Sequence, residues 1–133
     1  MDGTCTDRST ERTVNVAFDA IIENLLSCSL YSIWTEIEKD CERDSLQDTM
    51  NDLISFFEYA IRNNNVVEWY KEKGAVFSGD DPIVVARRIF SDFPYDLVDK
   101  DNWRRSDYFC SYLLSKSDGY ASIVEGTHLF PPG

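Results

Sequence analysis

Residues 46–61 read LQDTMNDLISFFEYAI, and this stretch decides the predicted fold class. Its apolar side chains recur at spacings of three and four, which places them on one face of an α-helix. They are Leu46, Met50, Leu53, Ile54, Phe57, Ala60 and Ile61. Ser45 and Asp48 resemble a capping box, because a serine hydroxyl accepts a free N–H and a carboxylate suits the positive helix start. We predict an amphipathic helix at the centre of the core.

Helical periodicity also occurs before this stretch. One apolar set spans residues 14–28, and a second set spans residues 30–37 on a rotated face. The change of phase predicts a bend or a new helix near Ser29, with an end near Cys41. Two helices, or one bent helix, are therefore expected to precede the central one.

Shorter segments follow the central helix. We predict a helical segment at residues 66–73, because cations in a last turn followed by Gly74 form a helix-stop signal. Another helix is expected to begin at Pro82, since proline suits the first helical position. Residues 102–116 predict a further helix, whereas residues 120–125 fit either one helical turn or a short strand. The predicted fold is all-α, a compact bundle of six or seven short helices.

The chain has 133 residues, which is near the common size of a single domain. With 43% hydrophobic and 14% aromatic residues, it has ample material for one core. We predict one α-helical domain at residues 10–126, preceded by a flexible tail at residues 1–9 and followed by a C-terminal tail at residues 127–133.

The composition is strongly acidic, with 24 acids against 13 bases and a formal net charge of −11. Such a charge opposes contact with nucleic acid or anionic lipid and favours a basic partner. An alternative reason for the acid is that it keeps an aromatic-rich domain soluble. No apolar stretch is long enough to span a bilayer. We therefore expect a protein partner, no nucleic acid and no membrane span.

The cysteines and the N-terminus favour a cytoplasmic protein. The four cysteines are Cys5, Cys28, Cys41 and Cys110, none of them in Cys-x-x-Cys spacing, and no secretory segment opens the chain. Free thiols are the expected state in that compartment. The sequence also allows a homodimer linked by a disulfide between two copies of Cys5.

Motifs that carry catalysis are missing from the sequence. His128, the single histidine, lies near the C-terminus, and the six glycines form no phosphate-binding loop. No zinc or calcium motif occurs. We therefore predict a non-enzymatic protein with no catalytic residues, no cofactor and no metal.

Two adjacent arginine pairs, Arg87-Arg88 and Arg104-Arg105, stand out in this acidic chain. Neighbouring residues on a helix point about 100° apart, so each pair offers one guanidinium to a groove and one to solvent. Ion pairing with nearby aspartates is the simpler interpretation. The alternative is an arginine that clamps a carboxylate of a partner helix.

Three short stretches resemble one family. Residues 53–59 (LISFFEY) are similar to the apolar start of that family's central helix, and residues 68–75 (EWYKEKGA) to its motif of a Trp followed by Gly. Residues 102–105 (NWRR) are near its Asn-Trp-Gly-Arg signature, with Arg104 in place of the glycine. The family is that of the Bcl-2-like (B-cell-lymphoma) apoptosis regulators, particularly the compact viral members.

The resemblance implies a bundle around a central hydrophobic helix, with a groove that holds an amphipathic helix of a pro-death partner. It implies that Asn102, Trp103, Arg105 and Phe109 form the partner-binding site. Arg105 would pair with an aspartate of the partner, while Trp103 and Phe109 would support or line the groove. The expected function is sequestration of a partner helix. The alternative is an acidic inhibitor or decoy that blocks a basic protein, such as a nuclease.

Overall fold

The structure is a computed structural model that describes residues 18–24, 29–39, 43–116, 118–124 and 128–130. Five α-helices occur within these ranges: the helical residues 18–24 (α1), Leu30–Lys39 (α2), Leu46–Arg62 (α3), Pro82–Ile89 (α4) and Asp107–Ser115 (α5). Four strands accompany them: Val66–Tyr70 (β1), Gly74–Val76 (β2), Gly119–Val124 (β3) and His128–Phe130 (β4). The predicted predominance of helix is confirmed. The predicted tail at residues 1–9, and Cys5, lie outside the described ranges.

The prediction of an all-α bundle of six or seven helices is wrong, because the described residues also form a four-stranded sheet. All neighbouring strands are antiparallel, in the order β2-β1-β3-β4. Residues 66–73, predicted to be helical, supply β1 and the turn into β2. The helix predicted for residues 102–116 is a 3₁₀ turn, Trp103–Arg105, followed by α5. Residues 128–130, placed in the C-terminal tail by the sequence, form β4.

Strand β1 forms because its residues suit a sheet and a partner is available. The segment reads VVEWY, in which β-branched and aromatic side chains favour extended backbone. Asn64 just before it adopts a positive φ of 59°, which turns the chain out of α3. Val67 is then registered against Ala121 of β3, more than fifty positions later in the chain. Local periodicity carries no signal for such a distant pairing.

Helix α3 is the centre of the core, as its periodicity predicts. Ser45 caps it by accepting the Asp48 N–H at 3.1 Å. The helix packs against α2, α4 and β1. Seven of its residues are buried: Leu46, Thr49, Met50, Leu53, Phe56, Phe57 and Ala60. Phe56 is fully buried although it lies outside the predicted apolar stripe.

Aromatic rings join the helices to the sheet. The ring of Phe57 lies 4.6 Å from that of Tyr120 on β3 and 5.3 Å from that of Phe90, which ends α4. Edge-to-face contacts of this kind stabilise beyond the apolar area that they bury. α3 therefore packs on the sheet through Phe57, and the end of α4 packs against α3 through Phe90. Among the helices of the described part, none is both long and apolar enough to cross a membrane.

Candidate functional site

A shallow, open cleft of about 620 Å³ lies between α5 and the segment that follows α4. Its lining consists of Asp92, Pro94, Asp107, Tyr108, Ser111 and Tyr112. The four residues from α5 fall at spacings of one, four and five, which places them on one helix face. Tyr108, one of these lining residues, is 52% exposed. The surface combines carboxylates with aromatic rings.

The wall formed by Asp92 and Tyr112 is fixed by hydrogen bonds. The Tyr112 hydroxyl donates to Asp92 Oδ1 at 2.6 Å, and the Tyr112 ring packs edge-on against Phe93 at 4.9 Å. Burial raises the pKa of Tyr112, and the hydrogen bond to Asp92 raises it further. Tyr112 therefore remains a neutral donor at physiological pH and keeps Asp92 oriented.

Lys116 lies behind this wall as a buried cation. Its side chain is 4% exposed, and its Nζ stands 3.3 Å from Asp92 Oδ1 and 5.2 Å from the centre of the Tyr112 ring. Burial lowers the pKa of Lys116, while Asp92 opposes that shift. The charge of Asp92 is thus partly balanced from within. Asp107 is the carboxylate of the cleft that has no such cation beside it in the hydrogen bonds and ion pairs of the described residues.

Gly119 has no side chain, and the Lys116 ammonium lies in the space next to it. It has a φ of +113°, and a Cβ at this position would lie 3.2 Å from Lys116 Nζ. We expect Gly119→Ala to lower the free energy of unfolding by about 1–2 kcal/mol, because alanine is strained at this φ and crowds the ammonium. Urea denaturation measures the change. Gly79→Ala is the comparison, because Gly79 also has a positive φ, of +80°, but has open space around it, so its cost reflects strain without crowding.

Two residues of the predicted partner site lie inside the protein. Trp103 is 3% exposed, and its Nε1 donates to the Asp44 carbonyl at 3.1 Å. Phe109 is fully buried, with its ring 5.1 Å from that of Trp103 and 5.0 Å from that of Trp34. Both can support a surface from beneath, but neither lines the cleft.

The other two predicted partner-site residues, Asn102 and Arg105, are exposed at the ends of the 3₁₀ turn. The guanidinium of Arg104 between them lies 4.4 Å over the Trp103 ring and makes hydrogen bonds to Glu38 and to the Arg43 carbonyl. Arg104 therefore joins α2 to the 3₁₀ turn. The role of Asn102 and Arg105 in partner binding stays a prediction.

Arg88 binds a buried carboxylate. Its Nε and Nη2 donate to Glu68 at 2.7 and 2.8 Å, and Nη1 donates to Asp80 at 3.0 Å. Glu68 is 3% exposed and also accepts from the Tyr70 hydroxyl at 2.6 Å. Arg88 holds the pKa of Glu68 below its ordinary value, whereas burial and the bond to Glu68 raise the pKa of Tyr70 to about 12. This network ties β1 to α4.

Most large apolar side chains of the described residues are buried, but a few are not. Phe77, at the start of the loop between β2 and α4, is 83% exposed. The others that stand out are Val84, Leu97, Tyr108, Leu114 and Leu129. Of these, only Tyr108 lines the cleft. The cleft is therefore aromatic and acidic rather than a long aliphatic groove.

The sequence prediction named neither Tyr108 nor Asp107. The available signal was the polar and aromatic set at positions 107, 108, 111 and 112, which share a helix face opposite the buried Phe109 and Leu113. Asp92 and Pro94 could not be added from sequence, because only the packing of the segment after α4 brings them to that face.

In the described part of the chain, no group of three or more His, Cys, Asp or Glu residues is arranged to hold a metal ion. A comparison with protein-family models, curated proteins and solved structures finds no match to this chain.

Proposed function

We propose that this chain is a non-enzymatic protein-interaction module whose cleft receives a basic, amphipathic segment of a partner protein. The observation that carries the proposal is the pairing of the half-exposed Tyr108 with the Asp107 carboxylate in one cleft. A carboxylate attracts a guanidinium or ammonium group, and the face of a tyrosine ring attracts the same cation. Pro94 adds an apolar surface for the neighbouring part of the partner.

Charge supports a basic partner at long range as well. The chain carries a formal net charge of −11, so it attracts cationic proteins before contact is made. At short range, the cleft then selects for a cationic side chain of the partner. Asp92 is balanced by Lys116 and bonded to Tyr112, which leaves Asp107 as the main attraction for an incoming cation.

The binding test uses a synthetic amphipathic helix that carries arginines on its polar face, titrated into the protein by calorimetry. We expect micromolar binding, weakened by about fivefold to tenfold in either Asp107→Asn or Tyr108→Ala, because each loses a contact worth about 1 kcal/mol. Asp101→Asn is the matched control, since Asp101 is exposed and lies outside the cleft. A peptide with glutamates in place of the arginines should not bind. Equal binding by wild type and both cleft variants would contradict the proposal.

A second candidate is the narrower function of a Bcl-2-like apoptosis regulator. It is supported by α3, a central helix with seven buried residues that packs against α2 and α4. In this form the partner is a helix of a pro-death protein, and Arg105 pairs with its aspartate. The alternative of an acidic inhibitor of a basic protein instead predicts binding that collapses with salt. Titration with helical pro-death peptides at low and high salt distinguishes the apoptosis regulator from the acidic inhibitor. No binding at micromolar concentration excludes the apoptosis function.

A further inference from the structure

The loop between β2 and α4 contains a serine in an unusual setting. Residues 77–81 read FSGDD and lie in no helix or strand, and all five are exposed. Gly79 turns the loop with a φ of +80°. Ser78 Oγ accepts a hydrogen bond from Arg88 Nη2 at 3.1 Å and from the Asp80 N–H at 3.3 Å. An exposed hydroxyl thus sits beside the guanidinium that also holds the buried Glu68.

We infer that Ser78 is a phosphorylation site for a serine kinase of the acid-directed class, and that Arg88 binds the phosphoryl group. Asp80 and Asp81 stand two and three positions after Ser78. A kinase with a basic substrate-binding surface reads such acids by charge complementarity. In the reaction, Ser78 Oγ bonds to the γ-phosphorus of ATP, the bond from that phosphorus to the bridging oxygen breaks and ADP leaves. The hydroxyl proton passes to the kinase's carboxylate base.

The geometry of Arg88 provides the acceptor for the product. Nε and one N–H of Nη2 face Glu68, while Nη1 and the second N–H of Nη2 face the loop through Asp80 and Ser78. These two outward N–H groups form the fork that binds a phosphate bidentately. A phosphoryl group on Ser78 takes this fork from Asp80, whose exposed side chain turns to water. The bond of Arg88 to Glu68 is kept, so the fold tolerates the modification.

Four other serines share the acid spacing but not this setting. Ser55 precedes Glu58 by three positions, but it lies within α3. Ser122 precedes Glu125 by the same spacing, but it is buried in β3. Ser45 precedes Asp48 by three positions, but its Oγ caps α3. Ser115 precedes Asp118 by the same spacing, but it ends α5, its Oγ donates to the Ser111 carbonyl, and Lys116 follows it. A kinase binds its substrate as extended chain, and a loop residue reaches that form more readily than a helical one. The structure therefore selects Ser78 among these five serines.

The test incubates the full chain with an active kinase that phosphorylates serines with acid three positions later, and with Mg-ATP. We expect one phosphoryl group, mapped by mass spectrometry to Ser78. Ser78→Ala, and separately the double variant Asp80→Asn with Asp81→Asn, should each slow incorporation by about tenfold or more. Ser115→Ala should leave the rate unchanged. No incorporation, or incorporation at any other serine with Ser78 unmodified, would overturn the assignment.

A second measurement tests the role of Arg88. The second pKa of phosphoserine is about 6 in an unstructured chain. A guanidinium that binds the phosphoryl group bidentately lowers this pKa by more than the exposed carboxylates of Asp80 and Asp81 raise it. Phosphorus NMR of the phosphorylated protein measures this second pKa. We expect it to be at least about half a unit lower in buffer than in urea, where unfolding separates Arg88 from the phosphoryl group. Equal values in the two solvents would show that Arg88 does not bind the phosphoryl group.

Discussion

Replacing Trp103 with alanine is expected to lower the free energy of unfolding by about 3–5 kcal/mol, the cost of truncating a buried aromatic side chain. Trp103 packs against Trp34 and Phe109, with ring centres 6.3 and 5.1 Å away. Its Nε1–H bond to the Asp44 carbonyl, at 3.1 Å, is lost as well. Urea denaturation followed by circular dichroism measures the change.

Two further variants make this result specific. Trp103→Phe keeps part of the packing but removes the indole donor, so we expect a loss intermediate between wild type and alanine. Arg105→Ala, at an exposed neighbour in the same 3₁₀ turn, should change stability by less than about 0.5 kcal/mol. A stable Trp103→Ala protein would mean that this residue does not belong to the core.

The burial of Trp103 and Phe109 decides which variants can test the predicted partner site. A variant that unfolds loses binding for trivial reasons, so Trp103 and Phe109 cannot report on a partner directly. Arg105 and Asn102 can, because they are exposed and their loss leaves the core intact. Binding measurements for the apoptosis proposal should therefore use Arg105→Ala and Asn102→Ala, with folding checked in each.

Replacing Arg88 with methionine is expected to lower the free energy of unfolding well beyond the effect of an ordinary surface substitution, because it leaves the Glu68 carboxylate buried without its cation. Methionine keeps most of the aliphatic length, so the loss reflects the guanidinium rather than the stem. Arg87→Met is the control, since Arg87 lies next in the chain but is exposed. Adding Glu68→Gln to Arg88→Met should restore part of the stability, because the uncompensated charge is then gone. If the double variant is less stable than Arg88→Met alone, the explanation fails.

The same pair predicts a dependence on pH. In the wild type, Arg88 holds the Glu68 pKa below its ordinary value of 4.5. The ionised carboxylate therefore contributes stability that is complete above that value and is lost as pH falls through the lowered pKa of the folded state. In Arg88→Met, burial raises the Glu68 pKa instead, so this variant loses stability as pH rises. Urea titrations should therefore show a larger difference in the free energy of unfolding between wild type and Arg88→Met at about pH 7 than at about pH 4.

The residues around Glu68 show why the sheet was missed. The cations of residues 71–73 before Gly74 match a helix end, and the same residues also suit the turn of a hairpin. Glu68 further hides the strand, because a charge at the centre of VVEWY looks like a solvent-facing helix position. The cation that balances this buried carboxylate is Arg88, which comes from α4 twenty positions later.

The amphipathic period of residues 46–61 by itself determined the central helix, its Ser45 cap and the predominance of helix, because those features depend on residues three or four positions apart. Pro82 likewise marked the start of α4 through its own backbone constraint. The tertiary structure decided the sheet, the burial of Glu68 and the cleft beside Tyr108. Each of these joins segments that are far apart in the chain, through pairing and packing energies that no local pattern encodes.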